Sequence, residues 1–262
     1  MNQAKKIIVP VFVAFVCLLF ATTATGTELK FVTQNFSPFN YETEGVVSGP
    51  AVDIIREICN EMQIQCSFRL LPWRRAQYEV KTGKANGLFV IGWNKKRAEW
   101  LYFSPPILNT EYGFFVRKDN PLEYRKPADI KGTTAGVFGP SNTSNSLDKL
   151  RTQMIELNLQ PITIKMKHDD ILVFKMLDIG KRNLDLAYSN RDVGNAIIDQ
   201  LNLKNIRYAG VQKRLKYYIG FSRQYTNKKI VIQFNETFKR LHKTKVIQKI
   251  LADYQMEAAK LE

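Results

Sequence analysis

Histidine is nearly missing from this chain: His168 and His242 are the only two in 262 residues. Cysteine is scarce as well, with Cys17, Cys59 and Cys66 and no Cys-x-x-Cys spacing. These shortages leave no Cys/His cluster from which a structural zinc site is built. They also leave no legible Ser-His-Asp or Cys-His arrangement for nucleophilic catalysis. Acidic residues are outnumbered, 24 Asp and Glu against 39 Lys and Arg, for a formal net charge of +15. Such an excess attracts nucleic acid, anionic membranes or acidic ligands. Nucleic acid is set aside, because the cations are scattered singly and no DNA- or RNA-binding motif is present. Repeats and low-complexity stretches are lacking, and beyond residue 21 no apolar run is long enough to cross a bilayer.

What the N-terminus does contain is an export pattern. Lys5 and Lys6 precede an apolar run from Ile7 to Ala21, broken by Pro10, and Ala24-Thr25-Gly26 supplies small residues for cleavage. Residues 1–26 therefore read as a secretory signal peptide cleaved near Gly26, with Thr27 as the mature start and an exported, oxidising location. An uncleaved anchor is the competing reading, but the run falls short of the roughly 20 residues of a comfortable span. Cys17 sits inside the run after Phe15-Val16, a poor lipoprotein context. Lys5 and Lys6 are the only charges before Thr27, so the exported chain carries +13. Cys59 and Cys66 then form an even pair in a compartment where disulfides persist, and a bond between them is expected. Two buried free thiols are the alternative, disfavoured by the polar turn between them.

Along the mature chain, Leu29 to Thr33 alternates as a strand, and Phe36-Ser37-Pro38-Phe39 makes an aromatic turn. Val52 to Met62 places Val52, Ile55, Ile58, Cys59 and Met62 on one helical face. Strands follow at Cys66–Leu71 and Gly87–Ile91, separated by a helix that opens at Pro72-Trp73-Arg74-Arg75. Tyr112 to Val116 is a strand, and the polar Arg117–Pro121 segment marks a crossover. A second unit repeats the first: strands at Thr134–Phe138, Pro161–Met166 and Leu184–Tyr188, with helices from about Leu147 and over Asp169–Leu177. A late strand spans Lys216–Ser222, and the tail from Asn227 is helical with a break near His242-Lys243-Thr244. Two β-α-β-α-β units with two crossings imply an α/β protein with parallel sheets, helices on both faces, and a cleft between the units. Ligands in such sheets bind beyond the carboxyl ends of the strands. That rule points to Phe36–Phe39, Trp73–Arg75, Gly92–Arg97, Gly139–Ser144 and Ser189–Asp192.

At these segments the chain resembles the bacterial periplasmic solute-binding proteins of the polar amino-acid type, family 3, whose members include histidine- and lysine/arginine/ornithine-binding proteins. The likeness rests on Ser37-Pro38-Phe39 after the first strand and on Gly49-Pro50-Ala51-Val52-Asp53-Ile54. It also rests on Gly92 to Arg97 running to Phe103-Ser104, and on Asp129-Ile130-Lys131-Gly132 leading to Gly136-Val137. The cysteine pair is similar to the disulfide of the histidine-binding member. The resemblance implies the two-lobed type II periplasmic binding protein fold with a hinged cleft. Lobe 1 would be 27–116, lobe 2 would be 117–215, and 216–262 would return to lobe 1 and end in C-terminal helices. It implies binding rather than bond breaking, with no cofactor and no metal. The partners implied are a small solute, an amino acid or related carboxylate, and an inner-membrane ABC-type permease, served by a monomer.

The resemblance also implies roles. Arg97 is the carboxylate clamp, a bidentate partner for an acid, against the plain alternative of a surface arginine beside Lys95, Lys96 and Glu99. Phe36 is an aromatic wall or a core ring. Ser141, Asn142 and Thr143 match the second-lobe turn whose amides take an anion. Trp73 and Arg75 lie outside the family pattern. They offer a stacking face and a second cation, or a packed indole beside a solvated arginine; Trp93 stands similarly. Gly92 and Asn94 occupy the positions of family hydroxyls. Asn190 occupies the position of the amine-binding aspartate, with Asp192 two residues on as a substitute. An asparagine carries no charge to pair with an ammonium, so an anion without an amino group becomes a candidate ligand. The rival readings are a ligand sensor, a degenerate lobe that docks a protein partner, and a cleft enzyme of the cyclohexadienyl dehydratase type. The last needs a positioned acid or base, and no histidine falls in the cleft loops.

Overall fold

The computed structural model describes residues 28–180 and 184–261. The signal peptide reading falls on residues outside that range. Among the described residues, eleven strands and eight α-helices follow in order: β1 (Glu28–Thr33), β2 (Tyr41–Thr43), β3 (Val46–Ser48), α1 (Pro50–Glu61), β4 (Gln65–Leu70), α2 (Trp73–Lys81), β5 (Gly87–Gly92), α3 (Lys95–Ala98), β6 (Leu101–Phe103), β7 (Leu108–Arg117), β8 (Thr134–Phe138), α4 (Asn142–Glu156), β9 (Thr163–Lys167), α5 (Asp170–Ile179), β10 (Leu186–Asn190), α6 (Arg191–Gln200), β11 (Ile206–Ser222), α7 (Lys228–Lys243) and α8 (Val246–Ala252).

The main sheet runs β4-β1-β5-β11-β7-β10-β8-β9, with β6 added beside β11. The outer trios β4-β1-β5 and β10-β8-β9 are each parallel. They are the two sheets expected from the repeated β-α-β-α-β order. The antiparallel strands β7 and β11 join them, β11 pairing with β7 over Ile206–Tyr217 and with β5 over Tyr217–Phe221. β11 is therefore one 17-residue strand rather than the short Lys216–Ser222 piece. The expected boundary at 215/216 lies within it. Register shifts at Tyr208/Gly210 and Val211/Lys213, and the charges at Lys213, Arg214 and Lys216, hide its period.

Helix α1 starts at Gly49, whose φ of 114° suits glycine, with Pro50 in the first turn. Its apolar face, including Ile54, Ile55 and Ile58, is fully buried on the first trio. Cys59 near its end is bonded to Cys66 in β4. Helix α2 is tied down differently. Glu79 is 5 % exposed and accepts from Arg69 of β4 and, at 3.3 Å, from Arg75 one turn earlier. Burial alone would raise this carboxyl. The hydrogen bonds and charges of Arg69 and Arg75 outweigh it and hold Glu79 below the ordinary glutamate range.

Helix α4 begins at Asn142, earlier than the expected start near Leu147. Ser141 caps it, accepting from the Ser144 amide at 3.1 Å while the Ser144 hydroxyl accepts from the Ser141 amide at 2.9 Å. Serine, asparagine and threonine disfavour helix interiors but are good at N-termini, so the stretch looked like loop. Among the described residues no helix is long and apolar enough to cross a membrane.

Two outcomes are expected. Replacing both Cys59 and Cys66 by alanine lowers the unfolding free energy by about 2–3 kcal/mol in urea titration, the loop-closure value for so short a ring. Glu79→Gln lowers stability at pH 7. Because the folded-state value of Glu79 is depressed, its contribution is full above the unfolded glutamate value and lost as pH falls through the folded one. The gap between wild-type and Glu79→Gln midpoints therefore closes on acidification below about pH 4.

Candidate functional site

The parallel trios end in a common pocket, where carboxyl-end turns of β1, β5 and β8 face each other across β7 and β11. Its lining comprises Thr33, Gln34 and Phe36 after β1, Trp73 at the start of α2, and Val90, Ile91, Gly92 and Arg97 around the end of β5. The opposing side gives Phe138, Ser141, Asn142 and Thr143, and the joining strands give Tyr112 and Tyr217. Its interior room is ≈ 50 Å³. At roughly 10–15 Å³ per water-sized sphere, that holds about three to five such spheres.

Arg97 is the only charged residue in this lining. Asn94 ends the extended segment after β5 and caps the short helix α3, its Oδ1 accepting from the Arg97 amide at 2.8 Å. That turn points the guanidinium back at the strand end, where Nη1 donates to the Gly92 carbonyl at 2.8 Å. The Trp73 ring lies 5.2 Å from the guanidinium carbon, a cation–π contact. Among the described residues Arg97 forms no ion pair. Burial lowers its proton affinity, opposed by Tyr112 and Tyr217; a guanidinium nonetheless stays protonated. The result is a half-buried cation with no counter-ion.

Opposite it, the first-turn amides of Asn142 and Thr143 have no intrahelical acceptor, as at any helix start. The partial positive end of the 15-residue helix α4 faces the same space. Asn142 also reaches across, accepting from Asn94 Nδ2 at 3.3 Å. A Cβ at Gly92 would sit 2.9 Å from Asn142 Nδ2. The glycine at 92 thus leaves room for an asparagine from the other side.

The sequence reading missed the lining residues Thr33, Gln34, Val90, Ile91 and Phe138 and, more consequentially, the tyrosines Tyr112 and Tyr217. The two tyrosines are 4 % and 3 % exposed, and both line the pocket together with Thr143. Burial raises the proton affinity of both. A tyrosine inside an apolar strand is itself a signal, because its buried hydroxyl needs a polar partner. Phe36 is half-buried and packs edge-on to Tyr217 at 5.9 Å between ring centres, so it is at once wall and part of the core cluster.

Val90 is strained. Its φ is 54°, unusual for a β-branched residue. It sits where the β5–β11 register shifts, as the extra residue of a bulge. The bulge lets the consecutive residues Val90, Ile91 and Gly92 all contribute to the lining.

The structure places the remaining expected residues elsewhere. Arg75 is exposed and paired with Glu79, outside the pocket, because the helix turn that shows Trp73 to the pocket points Arg75 away. Trp93 is 58 % exposed. Asn190 is buried as the cap of α6: its Oδ1 accepts from the Asp192 and Val193 amides, at 2.9 and 3.1 Å. Its Nδ2 donates to Thr110 at 2.6 Å and to the Tyr217 hydroxyl at 3.2 Å. Asp192 accepts from Thr110 at 2.9 Å and pairs with Arg191 at 3.2 Å. It lines a different groove with Glu111, Arg191 and Arg214. Asp170, first in α5, accepts from Ser189 at 3.1 Å, and burial pushes its carboxyl up to about 7. It is outside the lining, although its charge reaches Tyr112. No group of three or more His, Cys, Asp or Glu suited to a metal occurs among the described residues.

The chain is similar to several known proteins. The probable amino-acid-binding protein YxeM of Bacillus subtilis is 26% identical over 110 residues, 41% of each chain. The arginine-binding periplasmic protein of Mannheimia haemolytica is 27% identical over 122 residues, 45% of this chain and 52% of the relative. These matches span about half the length of those relatives or less. The crystal structure of a histidine kinase sensor domain with similarity to periplasmic binding proteins superposes with a TM-score of 0.76 at 20% identity, covering 89% of this chain and 98% of the other. That likeness shows the type II periplasmic binding protein fold. Residues 29–257 match the sequence profile of the bacterial extracellular solute-binding proteins, family 3, and the chain belongs to that family.

Proposed function

We propose that this protein binds a small polar or anionic solute, an amino acid or related carboxylate, by closing two lobes over it. Residues 27–116 with 216–262 form one lobe and 117–215 the other. The bound form is delivered to an ABC-type permease from the periplasm, after the signal peptide is removed near Gly26, and the protein works as a monomer. One observation carries the reading: Arg97 points its guanidinium into the pocket with no carboxylate to meet it. A bound acid would supply the missing charge through a bidentate contact. The α4 amides would take a further oxygen.

Membership of a solute-binding family supports binding rather than catalysis, and the hydroxyls in the lining, those of Thr33, Tyr112, Ser141, Thr143 and Tyr217, have no carboxylate or imidazole among the lining residues to activate them. Trp73 and Phe36 supply the apolar faces, and Asn94 fixes the backbone from which Arg97 projects.

The test is a thermal-shift screen of residues 27–262 against amino acids, mono- and dicarboxylates and inorganic anions. A ligand that binds only the folded state raises the midpoint, through a stabilisation that grows as RT ln(1 + c/Kd) with the free ligand concentration c. At least one compound is expected to raise it by several degrees. Arg97→Ala is expected to weaken that compound by about 100-fold, some 2.7 kcal/mol. No shift with any compound sinks the reading and favours a surface that docks a protein partner.

A further inference from the structure

Resting on that reading of the pocket, we propose that the site is built for short-chain carboxylates, and that Asn142 sets the limit by roofing the end of the pocket where Arg97 sits. The interior room is ≈ 50 Å³. At roughly 10–15 Å³ per water-sized sphere, it holds about three to five non-hydrogen atoms. Acetate, propionate and glycine are of that size, with or without an amino group. Acids carrying long side chains are not.

Gly92 is where the two sides of the pocket meet. Its carbonyl accepts from Arg97 Nη1 at 2.8 Å. Its bare Cα admits the Asn142 carboxamide, whose Nδ2 would lie 2.9 Å from a Cβ placed there. Oδ1 of the same carboxamide accepts from Asn94 Nδ2 at 3.3 Å. Asn94 Oδ1 in turn accepts from the Arg97 amide at 2.8 Å. A continuous line of hydrogen bonds therefore runs from the turn that aims Arg97 to the roof beside it. Asn142 cannot swing clear for a longer solute without giving up Asn94. Asn94 cannot follow it without releasing the Arg97 amide.

The remaining walls are held by protein partners as well. The Trp73 ring lies 5.2 Å from the Arg97 guanidinium carbon. Phe36 packs against Phe39 and Tyr217, at 5.5 and 5.9 Å between ring centres. Tyr112 meets Tyr188 edge-on at 6.1 Å. Moving any of these rings gives up a packed contact, so the room does not grow by small adjustments. Asn142 differs from them. It stands first in α4, and Ser141 rather than Asn142 caps that helix. Its carboxamide can be cut away with the helix start and the ring walls left in place.

Titration calorimetry on residues 27–262 at about pH 7.5, where each acid is ionised, tests this with acetate, propionate and glycine against hexanoate, L-glutamine and L-arginine. The best short acid is expected to bind about tenfold tighter, or more, than the best long one. In Asn142→Ala that ratio is expected to fall to within about threefold, with the thermal midpoint checked so that the variant is known to be folded. Gly92→Ala probes the contact itself, because among the described residues beyond its chain neighbours a methyl group there meets only Asn142 within 4 Å. It is expected to weaken the short acids by about tenfold, whereas Gly92→Ala combined with Asn142→Ala binds them within about threefold of Asn142→Ala alone. A long acid, or any larger solute of the wider screen, that binds wild type tighter than the short ones overturns the size limit while leaving solute binding intact. An unchanged ratio in folded Asn142→Ala, or a double variant as weak as Gly92→Ala, overturns the role of Asn142. Binding of an inorganic anion with none of the six bound overturns the carboxylate class. No binding by any of the six, together with no shift in the wider screen, removes both this proposal and the reading beneath it.

Discussion

A cation without a counter-ion, held half out of water, is the constraint around which the pocket is arranged. Leaving a guanidinium so placed is unfavourable unless its protons are occupied. The chain meets part of that demand with the Gly92 carbonyl and the Trp73 ring, neither of which cancels a full charge. Asn94 holds the short helix that makes the orientation unavoidable, since its side chain caps the same amide from which Arg97 begins. The remaining demand falls to whatever enters. In that sense the charge imbalance of the whole chain matters less than one local imbalance that the fold declines to correct.

The sheet explains how two distant segments come to share that space. Parallel trios direct their carboxyl-end turns to one edge, and β7 and β11 carry the chain between them. Tyr112 and Tyr217 sit on those two strands, so the pocket is tied directly to the connection between the halves. Asn190 caps α6 and grips Tyr217 at once. A residue that is structurally a helix cap is therefore also a neighbour of the pocket's polar wall.

Much of this was legible in the sequence because local rules and global packing agreed. The face Val52, Ile55, Ile58 and Cys59 declared α1, the apolar run at Gly87 declared β5, and strand–turn punctuation placed Arg97, Phe36 and Ser141–Thr143 beside one another. Failures occurred where one residue type serves two purposes. Ser141 to Ser146 read as loop because small polar residues suit both turns and helix starts. β11 read as half its length because bulges and cations interrupt its alternation. Arg75 looked like a ligand-facing cation until Glu79 claimed it. Tyr112 and Tyr217 signalled buried hydroxyls but not a pocket, since the linear string does not tell which face of a crossing strand turns toward it. Asn190 was found by position, but the use of its Nδ2 end depends on neighbours 27 and 80 residues away.

The left-handed step at Val90 carries a consequence for how such a protein diversifies. Because the bulge sets which atoms of residues 90 to 92 reach the interior, the floor of the pocket is inherited as a path of the main chain. Exchanges at Phe36, Trp73 or Asn142 can repaper the walls, whereas the floor resists point change. A lineage drifting toward new ligands would therefore keep one rigid, costly backbone kink and vary what stands around it.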